Sequence, residues 1–447
     1  MSEVAGLERK ADLCVKNATI VTMDRAQTII DKGYVAVVGD SIADVGKGEP
    51  SYWKAGKTID ASGGLLLPGL INGHTHVPMS LFRGLADDLP LMEWLTRYIF
   101  PVEKNMDEDF VRAGSFLGCA EMILSGTTTF CDMYLFENEV AEAASKTGIR
   151  CLIGEVLYDF PSPNYGEIEN GFRYTEWLIQ QWQGHPLISV AVEPHSVFTC
   201  SPGLLERAGA LASQYSVPLI THLAETEDEL RQVKEKYNKS PVEHLKDLNL
   251  LNSNLIADHC VHLSARDLEL LKENGVRVIH NPESNMKLAS GIAPVPKMVA
   301  NGITVGIGTD GCASNNDLDM FGEMDTSAKL HKVSKMDPTV MDAVTVLKMA
   351  TINGAKALGM EGIIGSIEKG KKADFIVLDP NKPHLTPIYN PYSHIVYAAR
   401  GDDVLHSIIN GKVVMENRSL LTIDLHEALA VAREKAVLVR KWVQQAS

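Results

Sequence analysis

Leu67-Pro-Gly-Leu-Ile-Asn-Gly-His74-Thr-His76 is an apolar run that stops on two histidines two positions apart. At a strand end, residues i and i+2 project to the same side, so both imidazoles can face one point. Working outward, the same form recurs along the chain. Leu65–Ile71, Thr127–Asp132, Cys151–Val156, Ile188–Glu193, Val217–His222, Leu255–His259, Val276–His280 and Thr304–Gly308 are strand-length apolar runs separated by stretches with helical spacing. Eight buried strands, each followed by a helix, is the count of a closed α/β (βα)8 TIM barrel. An open doubly wound sheet would not need eight strands that all end in polar residues. Here nearly every run stops at His, Glu or Asp: His74 and His76, Asp132, Glu155, Glu193 and His195, His222, His259, His280 and Asp310. In a barrel the C-terminal strand ends share one face, so residues hundreds of positions apart meet in one pocket.

Four of these residues form a donor set. His74, His76 and His222 offer imidazoles, and Gly308-Thr-Asp310-Gly311 offers a carboxylate. Three neutral imidazoles and one Asp satisfy a divalent ion, most simply Zn2+, while leaving a position for water. Taken singly, His222 reads as a buried hydrogen-bonded histidine and Asp310 as a turn residue before glycine. Neither reading explains why all four end barrel strands.

The flanks have another texture. Leu13-Cys-Val-Lys-Asn-Ala-Thr-Ile-Val-Thr, Tyr34-Val-Ala-Val-Val and Thr58-Ile-Asp-Ala alternate between turns, and Ala373–Asp379 and Val404–Val414 repeat the pattern, the latter turning at Asn410-Gly411. The expectation is a small β-sandwich-like domain built from both termini: residues 1–66 and 363–447, the latter with a terminal helix from about Leu425, around a metal-dependent barrel over 67–362. The 447 residues are 45% hydrophobic and 22% charged, an ordinary globular profile. A net charge of −15 argues against a nucleic-acid partner. The first ten residues hold no signal-peptide core, no apolar run is long enough to span a bilayer, and seven scattered cysteines lack CxxC spacing. A cytoplasmic protein with reduced thiols and no membrane partner is the expectation.

GLINGHTH, EPHSVFTCSP, THLAET, DHCVHL, HNPESNMKLASGIAPV and GIGTDGCASNN follow one another in an order that resembles the amidohydrolase superfamily, over almost the whole chain. Within it the chain is most similar to the family that deaminates 5′-methylthioadenosine and S-adenosylhomocysteine. That resemblance implies a metal-dependent aminohydrolase releasing ammonia from a small-molecule nucleoside, and it allows a homo-oligomer. It implies Glu225 as the proton shuttle to the ring nitrogen, His259 as the residue that orients the attacking water, and Asp310 as both ligand and proton acceptor. His195 would bind the purine edge and Glu103 the ribose hydroxyls. The family's carboxylate-binding arginine finds Arg173, slightly out of register. Relatives with two metals use a lysine at the end of strand four; Ile188-Ser-Val-Ala-Val-Glu-Pro-His195 has none, which favours one ion. The same framework serves guanine, pterin and triazine hydrolases, and a non-catalytic assembly module is the alternative of another class.

Overall fold

The computed structural model describes residues 9–89, 93 and 95–446; most of the N-terminal decapeptide read above lies outside them. Strands Leu70–Thr75, Thr127–Tyr134, Arg150–Leu157, Ile188–Val190 and Glu193–Pro194 form one parallel sheet. Leu219–Leu223, Leu255–His259, Arg277–His280 and Val305–Ile307 form a second. Parallel bridges Val192–Leu219 and Ser196–His222 join them on one side. On the other, the Asp310 amide donates to the His74 carbonyl at 2.9 Å and the Thr309 amide to Asn72 Oδ1 at 2.9 Å. Eight strand positions thus run full circle. The seam is tight because Gly308 has no side chain: a Cβ there would sit 2.6 Å from the His74 nitrogen.

The first run is divided between two sheets, which corrects its reading as one barrel strand. Leu65–Pro68 pairs antiparallel with Phe375–Leu378 in a nine-stranded terminal sheet, and only Leu70–Thr75 enters the barrel. Gly69 is the joint, and a Cβ at that position would collide with Thr128. Apolar periodicity cannot register such a transfer, since both halves are buried.

The terminal sheet takes strands from both ends of the chain and curls until Ser41 bridges Lys372, enclosing Leu13, Val15, Val35, Phe375 and Ile408. The hairpin turns at Asn410-Gly411, both with positive φ (50° and 77°), as a two-residue turn demands. Helix Leu425–Ala446 packs back on barrel helix Glu108–Leu124, with the Trp442 and Phe110 rings 5.3 Å apart. All seven cysteines are buried and unbridged. Among the described residues no helix is long and apolar enough to cross a membrane.

One buried ion pair ties the two parts together. Arg150 opens the third barrel strand and forks onto Asp374 at 2.8 and 3.2 Å, with side chains only 4% and 2% exposed. Its remaining nitrogen donates to the Pro186 carbonyl at 2.8 Å. Arg150→Ala strands the Asp374 charge, and such losses cost about 3–5 kcal/mol. Urea unfolding should show a drop of that size, and a wild-type midpoint would mean the pair contributes nothing.

Candidate active site

The strand ends bring the expected donors into one knot. The His74 ring lies 4.8 Å from that of His76, 5.0 Å from that of His222 and 5.4 Å from that of His259. Donor atoms of His74, His76 and Asp310 fall within 4.8 Å of one another, and so do those of His74, His222 and His259. His259 therefore stands as near the centre as the residues expected to be ligands.

His76 and His222 have Nδ1 hydrogen-bonded, and His74 Nδ1 lies within ion-pair distance of a carboxylate. His74 Nδ1 faces Asp258 Oδ2 at 3.1 Å, His76 Nδ1 the Met133 carbonyl, and His222 Nδ1 the His195 carbonyl at 2.7 Å. All three partners are acceptors, which assigns the proton to Nδ1 and leaves the Nε2 lone pair for another occupant. His74 Nε2 is buried and has no hydrogen-bond partner. An orphaned buried acceptor surrounded by others is costly unless a cation fills the gap. This donor set fits a divalent metal ion.

The electrostatics agree. Burial, with the surrounding imidazoles, pushes His222 well below the usual histidine range, so it is neutral as a ligand must be. Burial opposes a charge on His76, yet the hydrogen bond and charge of Asp310, 3.2 Å away, outweigh it and lift His76 to about 9, so its Nε2 holds a proton toward Asp310 that an arriving cation would displace. Burial likewise opposes ionisation of Asp310, but His76 and the other imidazoles hold it well below the usual carboxylate range. Its second oxygen accepts from Ser284 Oγ at 2.6 Å. The centre attracts positive charge.

Backbone strain aims the side chains. Ala224, His259, Cys260 and Asp310 all adopt positive φ (52°, 68°, 51° and 64°), a region non-glycine residues rarely occupy. Ala224 turns the chain after His222 and is followed by the half-buried Glu225. Glu229 fixes that turn, its carboxylate accepting from the amides of Ala224 (2.9 Å) and Glu225 (2.8 Å). The N-cap of helix Glu227–Tyr237 is Thr226, so Glu225 itself lies outside the helix. It lies close enough to His259 to favour a positive charge on that imidazole, which burial alone would disfavour. His259 Nδ1 contacts Asn285 Oδ1 at 2.9 Å.

Around this centre, His195 ends the fourth strand position with its ring 4.8 Å from His222. Burial and the neighbouring imidazoles lower it to about 4, keeping it neutral. Glu103, at the end of helix Phe100–Glu103, accepts from the Tyr134 hydroxyl at 2.8 Å, and the Tyr134 ring lies 5.9 Å from His76. Burial raises the Glu103 carboxyl above its ordinary value. Arg173 is exposed on helix Ile168–Trp182 and bonds to Asn170 at 3.2 Å. His280, although it ends a strand, turns to His331 (3.1 Å between Nε2 atoms), and His262 contacts the Ser290 carbonyl.

The supporting residues went unassigned in the sequence. Asp258, Ser284, Asn285 and Glu229 hold the functional side chains, and Asp132 accepts from Thr75 Oγ1 (2.5 Å) and the Val77 amide (2.6 Å) to fix the chain around His76. Ser284 and Asn285 lie within the HNPESNMK stretch, and that stretch was their one signal.

The model of the amidohydrolase family matches residues 65–414. A 5-methylthioadenosine/S-adenosylhomocysteine deaminase of Syntrophobacter fumaroxidans is 58% identical over 95% of this chain and 97% of its own. A 5′-deoxyadenosine deaminase of Methanosarcina mazei is 44% identical over 95% and 98%. The solved structure of an adenosine deaminase of Xanthomonas campestris with bound zinc superposes with a TM-score of 0.95 at 38% identity, covering 97% of this chain and 99% of that one.

Proposed function

The chain belongs to the amidohydrolase family, and from that premise we propose that it is a hydrolase of C–N bonds that deaminates adenosine-type nucleosides to the inosine product and ammonia. The substrates are 5′-methylthioadenosine, S-adenosylhomocysteine and adenosine. The observation that carries the reading is the knot of Nδ1-anchored imidazoles and Asp310 beside Glu225. We assign His74, His76, His222 and Asp310 to one Zn2+, in a cytoplasmic enzyme whose barrel spans 70–362.

Bound there, a divalent ion would supply a water acidic enough to attack near neutral pH. Asp310 is placed to accept a proton at its carboxylate, and His259, oriented by Asn285, would hold the attacking oxygen toward the amine-bearing carbon. Glu225, entering as the acid, protonates the adjacent ring nitrogen, which makes that carbon electrophilic; the proton held by Asp310 passes to the departing amine, and Glu225 takes one back from the added hydroxyl as the carbonyl forms. His195, neutral, hydrogen-bonds the purine edge. Glu103 accepts from the ribose hydroxyls.

Ammonia release over a panel of nucleosides, bases and pterins tests the assignment. The three adenosine derivatives should be converted and free adenine should be poor. Without the sugar, the Glu103 carboxylate keeps its Tyr134 hydrogen bond and loses the two ribose hydroxyls, a penalty of roughly 1–3 kcal/mol. Guanine, a pterin or a triazine running far faster than every adenosine derivative would overturn the nucleoside reading.

A further inference from the structure

The loop after the third barrel strand carries aromatic surface that the chemistry above does not use. The Tyr158 and Phe160 rings stack at 3.9 Å and 11°, and Tyr158 stands edge-on to His195 at 6.5 Å. Phe198 flanks the same histidine at 6.2 Å. Tyr158 is buried, while Phe160 and Phe198 remain 48% and 44% exposed. Exposed aromatic rings gathered beside a reaction centre call for an apolar occupant.

Position and charge narrow that occupant. The Tyr158 ring stands edge-on to His195, so the stack borders the reaction centre on the side of that histidine. From Tyr158 to Phe172 the chain carries Asp159, Glu167 and Glu169 and no Lys or Arg. Asp159 sits at the rim, its carboxylate accepting from the Ser201 amide and hydroxyl. The two arginines beyond are engaged: Arg173 with Asn170, and Arg207 with Glu169 while lying over the Phe172 ring. A carboxylate arriving here meets like charge.

We propose that the Tyr158–Phe160 stack, with Phe198, is the subsite for the 5′ substituent and selects small uncharged groups, methylthio or methyl, over a charged amino-acid tail. A thioether sulfur packs well on an aromatic edge, and a methyl group loses water against the same rings. The proposal rests on nucleoside deamination being the reaction.

The test is kcat/KM on 5′-methylthioadenosine, 5′-deoxyadenosine, adenosine and S-adenosylhomocysteine for wild type, Phe160→Ala, Phe160→Tyr and Phe198→Ala. Wild type should favour 5′-methylthioadenosine over S-adenosylhomocysteine by about 10-fold or more, the discrimination one pocket contact typically gives. Phe160→Ala should lower kcat/KM for the methylthio and deoxy substrates by about 10-fold, mainly through KM. Adenosine should lose less, so the methylthio-to-adenosine ratio falls; Phe160→Tyr should restore it and Phe198→Ala should lower it again. Ratios unmoved by both alanine variants, or a wild-type preference for S-adenosylhomocysteine, would overturn the subsite and leave nucleoside deamination standing. No turnover on any of the four nucleosides would overturn both.

Discussion

Replacing Glu225 by glutamine should cut turnover by about 10²–10⁴-fold while metal content and nucleoside affinity stay near wild type. The amide keeps the shape of the side chain and the Glu225 amide hydrogen bond to Glu229, so the turn after Ala224 should persist. What is lost is a group able to give a proton to the ring nitrogen and take one back as the carbonyl forms. The effect should appear in kcat and kcat/KM together, because the proton moves only in the transition state. Isothermal titration with a non-reacting nucleoside checks that binding survives. Turnover within a few-fold of wild type would move the shuttle to another residue.

A complete loss of activity is expected for His222→Ala, with the ion lost as well. His222 supplies one imidazole of the centre, aimed by its Nδ1 contact with the His195 carbonyl, and alanine removes that ligand outright. Elemental analysis should give about one divalent ion per wild-type chain and well under that for the variant. Circular dichroism should be unchanged, because the fifth strand keeps its pairing with Leu255–His259 through the backbone. Full activity in a thoroughly metal-stripped sample would sink the mechanism.

Both results bear on how far the site could be read before folding. The residue types at the run ends were legible, because His74, His76, His222, His259 and Asp310 each interrupt apolar strands where a core would exclude them. The same logic over-reads His280, which ends a strand in the same way but bonds to His331 on a neighbouring helix. Strand ends project in more than one direction, and which imidazoles meet depends on how each strand is rotated.

Local sequence specifies the eightfold alternation, the residue types offered at the strand ends, the hairpin at Asn410-Gly411 and the shared β domain of the two termini. These follow from local periodicity and turn chemistry, which are properties of short windows of chain. Long-range packing sets the change of sheets by the first apolar run at Gly69 and places Asp258, rather than another carboxylate, beside His74. It alone decided that the Met133 and His195 carbonyls would orient two more imidazoles. A backbone carbonyl is the same group in every residue, so its choice as a partner leaves no mark in the sequence. Nor does the left-handed backbone at Ala224, His259 and Asp310 announce itself, since none of the three is glycine. That strain is tolerated because the surrounding packing over-determines the loops, and packing is a property of the closed barrel as a whole.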